Sequence, residues 1–368
     1  MSFGARALIR LGALKHNLQV LRDAAPDARV MAVIKANAYG HGMIAVARAL
    51  DDVDAFAVAR LPEALLLRDA GIEQPIILLS GVFSRQELRS AADNDLDIVV
   101  HCEEQARLLD APAGEPLVAW LKVDTGMNRL GFAPERATEL IEPMRAAKVV
   151  RELRLMTHFA DADNVDGPLT ELQMQRFRAV ADGFDGSVSV ANSPAMLGWP
   201  DIVAARDALG FGGECWIRPG IALFGISPFA GQTGIELGLK PVMQFEARLI
   251  AKKTLQAGCQ VGYKGRYTSD ADTQLGIIAA GYGDGYSRHF RDGTPVLING
   301  RRVPLIGNVS MDMLAVDLGA DTDDSVGDIA TLWGDGLPVE EIAPWGDAIP
   351  YELVCGVMNR ESSEFIAS

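Results

Sequence analysis

Val30-Met-Ala-Val-Ile34-Lys35-Ala-Asn-Ala-Tyr39-Gly-His41-Gly42 joins an apolar run, short enough for a buried strand, to a lysine and a polar turn punctuated by glycine. Outward from it the pattern repeats. Short β-branched and apolar runs recur at Ala55 to Ala59, Pro75 to Leu79, Asp97 to Val100, Val118 to Val123, Leu153 to Thr157, Ser187 to Ala191 and Ile217 to Ile221, making eight expected strands with Val30 to Ile34. Between them, apolar residues at helical spacing mark Leu61 to Ala70, Arg85 to Ala92, Pro134 to Ala147 and Leu169 to Phe184, several opening on Pro or a capping residue. Eight strand-helix units in succession fit an α/β fold of the TIM type, a (β/α)8 barrel, better than an open doubly wound sheet. The polar residues favour the barrel. Lys35 and Asn37 follow the first strand, Lys122 to Arg129 the fifth, His158 the sixth, Asn192 and Ser193 the seventh, and Arg218 opens the eighth. A barrel gathers such positions on one face, where its active site lies.

Past Phe229 the texture changes to closely spaced alternating strands with Gly-rich turns, as in Gln244 to Lys252, Gln274 to Ala280 and Met313 to Leu318. Asn299-Gly300, between Pro295-Val-Leu-Ile and Val303-Pro-Leu-Ile, is a two-residue hairpin signal. Ser227-Pro-Phe-Ala-Gly-Gln-Thr-Gly234 reads as a linker. The expected organisation is a barrel over residues 1–228 and a C-terminal, mostly-β domain over residues 229–368.

Composition narrows the function. With 368 residues, 49% hydrophobic and 23% charged, the chain is globular rather than disordered or fibrous. The 34 basic against 49 acidic side chains give a net charge of -15, which argues against nucleic acid and anionic membranes as partners. Any anionic ligand must therefore meet local, individually placed cations. Cys102, Cys215, Cys259 and Cys355 lie far apart without a CxxC pair, which fits free thiols in the cytoplasm. The opening MSFGARALIRLGALKHN has no uninterrupted apolar segment of the signal-peptide kind, and no run approaches the roughly 20 apolar residues of a spanning helix. The histidines show neither HxH nor HExxH spacing, so no metal is expected.

Lys35 is the first chemical candidate. A lysine placed directly after a buried strand loses proton affinity when desolvated and becomes a nucleophile suited to a Schiff base with a carbonyl compound; the alternative is a strand-end lysine that reaches solvent. Lys122-Val-Asp124-Thr-Gly126-Met-Asn128-Arg129-Leu-Gly131 crowds charge at a strand end, where Lys122 and Arg129 fit either an anion site or a solvated loop, and Asp124 fits a turn cap. Ser193 before a helix and the glycine-flanked amides after Arg218 offer donors suited to a phosphate, although Ser193 also fits a plain N-cap and His158 a satisfied core histidine. In the β domain, Val261-Gly-Tyr263-Lys, Gly281-Tyr282-Gly-Asp284-Gly-Tyr286 and Val309-Ser310-Met311-Asp312-Met313 set polar and aromatic residues beside glycines, and Tyr351 sits near the end of the chain.

Five of these segments, in order, resemble the alanine racemase family: Val33-Ile-Lys-Ala-Asn-Ala-Tyr-Gly-His-Gly, Lys122-Val-Asp-Thr-Gly-Met-Asn-Arg-Leu-Gly, Arg218-Pro-Gly-Ile, Gly281-Tyr-Gly-Asp-Gly-Tyr and Val309-Ser-Met-Asp-Met. The resemblance spans almost the whole chain. It implies an isomerase dependent on pyridoxal 5′-phosphate (PLP), interconverting L-alanine and D-alanine, built as a barrel plus β domain and assembled as a head-to-tail homodimer. By this resemblance Lys35 binds PLP covalently and serves as the base for the D enantiomer. Tyr263, reaching in from the partner subunit, serves the L enantiomer. Arg218 hydrogen-bonds the pyridine nitrogen and keeps it unprotonated, where related PLP decarboxylases carry Glu. His158 positions Arg218, and Arg129 bonds the phenolic oxygen of PLP and approaches the substrate carboxylate. Tyr39, Ser193, Tyr351 and the amides of Gly220 and Ile221 hold the phosphate, with no metal. Met311 offers its backbone N–H to the substrate carboxylate from the other subunit, and Lys122 is carbamylated in some members, bracing Arg129. The product suggests supply of a peptidoglycan precursor, or alanine catabolism. Met358-Asn-Arg360-Glu-Ser-Ser departs from the family's usual ending and puts the terminal strand in question. The rival readings are a broader amino-acid racemase, a PLP barrel decarboxylase and a PLP-carrier protein. Arg218 speaks against the decarboxylase, and the appended β domain speaks against the carrier.

Overall fold

The computed structural model describes residues 4–110, 114–203, 211–357 and 363–366. Its chain opens on a strand, β1 (Arg6–Arg10), and then builds eight parallel strands: β2 (Arg29–Val33), β3 (Ala55–Val58), β4 (Ile76–Leu78), β5 (Leu96–Val100), β6 (Leu117–Lys122), β7 (Val150–Met156), β8 (Val188–Asn192) and β9 (Cys215–Arg218). Each pairs with the next, and β9 returns to β2, so the sheet closes. The strands read as near-continuous apolar runs because closure buries them on both faces: β3, β4 and β5 are buried at every position. Helices such as Leu61–Asp69, Pro134–Ala146 and Leu169–Ala181 cover the outside and start where the sequence sets them, all three with Pro in the first turn or at the cap.

The eighth expected strand stops early. Arg218 closes β9 rather than opening it, because Pro219 brings no N–H to the ladder and the chain turns at Gly220 into a 3-10 turn, Ile221–Phe224.

The second region contributes β10 (Met243–Leu255), β11 (Gln260–Val261), β12 (Tyr267–Thr268), β13 (Thr273–Ile278), β14 (Pro295–Ile298), β15 (Arg301–Pro304), β16 (Leu314–Asp317), β17 (Ile329–Trp333) and β18 (Glu364–Ile366). The main sheet runs β15-β14-β17-β10-β1-β18, with β13 paired to β10 and β16 paired in turn to β13. The hairpin at Asn299-Gly300 forms with both residues at positive φ, 48° and 75°, as a tight two-residue turn requires. β1 therefore belongs to this sheet, antiparallel to β10, and not to the barrel unit in which residues 1–228 were expected to lie together. Its alternating burial, with Ala7 and Ile9 inward, is the period of a half-exposed strand. Residues 358–362, where the sequence departs from the family's ending, lie outside the described residues; beyond them β18 pairs in parallel with β1.

The two regions meet at the lysine end of the barrel. Glu340 accepts hydrogen bonds from Ser227 N and Gly234 N, each 2.8 Å, fastening the linker to the second region. Gly40 lies against the backbone of Val354 and Gly42 against the Phe365 ring, closer than a side chain at either position would allow.

Candidate active site

The C-terminal ends of the barrel strands open into a cavity of about 840 Å³, lined among others by Lys35, Tyr39, Arg129, His158, Ser193 and Arg218. Lys122, Gly220, Ile221 and Tyr351 line it too. Ten of the residues singled out in the sequence thus share one space. Tyr263 and Met311 do not line it; they stand 66% and 53% exposed on the β domain of their own chain.

Lys35 follows β2 through Ile34 and begins a turn in which Ala36, Asn37, Ala38 and Tyr39 all have φ between 52° and 55°. Four successive non-glycine residues in a left-handed turn cost about 1–2 kcal/mol each, so the surroundings must hold it. His41 does so from one side: its Nδ1 lies 3.0 Å from Ala38 O and 2.9 Å from Tyr39 O, and its ring stacks on Phe224 at 4.4 Å. Asn37 Oδ1 accepts from Met43 N at 2.9 Å. Glu63 holds the other side through Ala36 N at 2.8 Å. The turn aims Lys35 and Tyr39 into the same cavity.

Arg218 is 4% exposed, yet its guanidinium meets only neutral acceptors: Ser189 Oγ and Thr157 O at 2.6 Å, Val190 O at 3.2 Å and His158 Nδ1 at 3.3 Å. Burial lowers its pKa to about 10, which still leaves it charged at neutral pH. His158 is pushed well below the ordinary imidazole range by burial and then by Arg218, so it is neutral and its Nδ1 accepts from the guanidinium. Burial, Arg218, Arg129 and Lys35, in that order, bring Lys122 down to about 7. Lys35 is lowered by burial and then by Arg129. Among the described residues none of Lys35, Lys122, Arg129 and Arg218 forms a salt bridge. A cluster of cations with so little internal compensation calls for an anionic ligand.

The alternatives left open at Asp124 and Ser193 resolve separately. Asp124 Oδ1 accepts from Gly126 N and Asn128 N, both 3.0 Å, so it caps the turn that carries Arg129. Ser193 is not the helix cap. Asn192 takes that place, its Oδ1 3.3 Å from Ala195 N, while Ser193 Oγ accepts from Gly220 N at 2.9 Å and Ala222 N at 3.4 Å. A Cβ on Gly220 would lie 2.6 Å from Tyr39 Oη, so glycine here lets the tyrosine hydroxyl approach the backbone. Burial raises the Tyr39 hydroxyl's pKa, and raises that of Tyr351 to about 12, keeping both as donors. Hydroxyl and amide donors for a phosphate, a lysine able to react with a carbonyl and a fixed guanidinium are the complement of PLP, and the residues fit that group.

In the β domain two of the glycine motifs dock on each other. Tyr282 N donates to Ser310 O at 3.0 Å and Gly283 N to Met311 O at 2.8 Å, an approach that a Cβ on Gly281 would block at 2.3 Å. Asn308 Nδ2 donates to Tyr263 O at 2.8 Å and brings the third motif alongside.

Sequence reasoning missed Glu63, Ser189 and Glu340. Ser189 carried a signal, a polar residue inside an apolar barrel strand; Glu63 and Glu340 looked like ordinary first-turn acids on helices.

Fold and cavity together define a class: a barrel enzyme with an appended β domain and a lysine-bearing anion pocket. Residues 9–228 match the family model of the alanine racemase N-terminal domain, and residues 242–365 that of the C-terminal domain. The chain belongs to the alanine racemase family. It is 47% identical over 364 residues to the alanine racemase of Vibrio atlanticus, covering 98% of this chain and 99% of that protein. Its fold matches the biosynthetic alanine racemase from Pseudomonas aeruginosa with a TM-score of 0.92 at 40% identity, over 100% of both chains. It matches the Acinetobacter baumannii enzyme with a TM-score of 0.90 at 36% identity, over 99% of this chain and 100% of that one.

Proposed function

We propose that this chain racemises alanine, with PLP held in the barrel cavity and a second copy of the chain completing each site. The observation that carries this reading is the pairing of Lys35 and the acid-free Arg218 in one cavity. When bound, PLP supplies a conjugated, electron-withdrawing ring that makes the Cα proton of the amino acid removable.

Lys35 would hold the cofactor covalently and, once displaced by substrate, move the Cα proton at its Nζ on one face. Its lowered proton affinity suits that exchange near neutral pH. Tyr263 of a second copy would serve the opposite face through its hydroxyl, and Met311 of that copy would offer its N–H to the substrate carboxylate. Arg218 would donate to the pyridine nitrogen; a guanidinium has no proton to lose at neutral pH and so leaves that nitrogen unprotonated. His158 would orient Arg218. Arg129 would bond the phenolic oxygen and the substrate carboxylate. Tyr39, Ser193, Tyr351 and the amides of Gly220 and Ile221 would hold the phosphate, with Ser193 Oγ exchanging its contact to Gly220 N for the ligand. Among the described residues no helix is long and apolar enough to cross a membrane, and the four cysteines are free, which supports work in the cytoplasm on D-alanine for the cell wall or for catabolism.

Exchange of the Cα proton of L-alanine in deuterated water, followed together with optical rotation, tests this reading. Wild type should exchange and racemise, whereas Lys35→Ala and Tyr263→Phe should each lose racemisation by about 10²–10⁴-fold. A protein that binds PLP without exchanging or racemising alanine would falsify the proposal and favour a carrier role.

A further inference from the structure

One carboxylate joins three backbone amides at the lysine end of the barrel. Glu63 Oε1 accepts from Ala36 N at 2.8 Å, while its Oε2 accepts from Ala59 N at 2.8 Å and Arg60 N at 3.0 Å. Ala36 directly follows Lys35 and opens the left-handed turn. The turn's later amides bond locally: Ala38 N to Ile34 O at 2.8 Å, Gly40 N to Ala36 O at 3.0 Å and Gly42 N to Asn37 O at 2.9 Å. Ala36 N–H instead leaves the turn and reaches a side chain on the next strand-helix unit. The contact runs from the end of β2 to the end of β3, so a single acid ties two neighbouring strand ends together one residue beyond Lys35. Both carboxylate oxygens are engaged. An amide side chain could not replace them, since its one oxygen serves a single side and its NH2 would face N–H donors on the other.

The same carboxylate reaches Lys35 through charge. Burial and Arg129 disfavour the ammonium, whereas the Glu63 carboxylate favours it.

We propose that Glu63 is a positioning residue for Lys35, pinning the left-handed turn through Ala36 N–H one residue beyond the lysine. Its negative charge also opposes that of Arg129 at Lys35 Nζ. This rests on the reading of Lys35 as cofactor anchor and base.

Two measurements on Glu63→Gln and Glu63→Asp test it: the pH dependence of acetic anhydride labelling of Lys35 in the cofactor-free protein, read by peptide mass, and kcat and KM of the holoenzyme. Glu63→Gln should move the labelling midpoint about one unit to lower pH. It should also lower kcat by about tenfold or more, with KM changing less, because a misaimed base loses turnover rather than ground-state binding. Glu63→Asp keeps the charge on a shorter arm and should lower kcat with the midpoint unmoved. Adding Ala36→Gly to Glu63→Gln should recover part of kcat and leave the midpoint low, since glycine adopts the turn without strain. An unmoved midpoint in Glu63→Gln, or a wild-type kcat in it, overturns the proposal. If Glu63→Gln does not fold, Glu63→Asp decides alone, and a wild-type kcat there overturns it. Lys35→Ala separates the two levels: racemisation surviving in that variant overturns the parent reading of Lys35, whatever the Glu63 variants do.

Discussion

Lys122 sits at the end of β6 among Arg218, Arg129 and Lys35, with Asp124 the acid that partly offsets them. A pKa near 7 leaves much of the amine neutral at physiological pH, in reach of carbon dioxide. Addition forms an N–C bond and releases one proton to solvent, and the resulting carbamate puts a negative charge where three cations converge. Wild-type enzyme supplied with 13C-bicarbonate should therefore show a carbamate carbon resonance that disappears in Lys122→Met, together with a roughly tenfold loss of activity as Arg129 loses its brace. Fully active enzyme without that resonance removes the modification from the site. Lys35, His158 and Arg218 were visible in the sequence because a polar residue at the end of an apolar barrel strand is itself a signal. The role of Glu63 was not, and the polarity of Ser189 within its strand did not reveal its partner, because Ala36 N and Arg218 come from other strand-helix units and no local spacing encodes such a contact.

At the scale of the element, the barrel closes at the end opposite Lys35 on a polar plug. Arg154 on β7 lies over both Trp120 and Trp216, which meet edge to face, with its guanidinium carbon 5.2 Å from each ring centre, and Asp97 on β5 accepts from Trp120 Nε1 at 3.3 Å. Burial raises the Asp97 carboxyl to about 6, against the opposing pull of Arg154 and the indole N–H. The folded state thus keeps this proton to higher pH than the unfolded chain does, so stability falls as pH climbs from about 4 to about 6, and the loss is complete above that window. Asp97→Asn should therefore stabilise by roughly 1–3 kcal/mol at pH 8 and by almost nothing at pH 4. A Tm difference that stays flat between those two pH values would show that the acid is not strained by burial. All eight barrel strands were legible, since closure buries both faces and leaves unbroken apolar runs. β1 was not recognised: its alternation marks a strand, but its partner β10 lies more than 200 residues away, and only the folded chain reveals which sheet it joins.

At the scale of the whole molecule, Lys35 lines the cavity while Tyr263, proposed as the second base, stands exposed outside it. Tyr263, Met311, Met313 and Tyr282 form an exposed apolar group on the β domain, held together by the docked glycine motifs. Exposed apolar side chains grouped in this way suit a protein partner, and on the proposed function a second copy placed with two-fold symmetry would bring each group to the other's cavity. Subunit mixing separates this arrangement from one in which each chain works alone. Lys35→Ala and Tyr263→Phe should each be nearly inactive as homodimers. After unfolding and refolding together in equal amounts, half the dimers are mixed. In each of those, one site combines the intact Lys35 of one chain with the intact Tyr263 of the other, while the second site lacks both. Activity should then return to roughly a quarter of the wild-type level. If both bases came from the same chain, every site in the mixture would still carry one lesion and no activity would return.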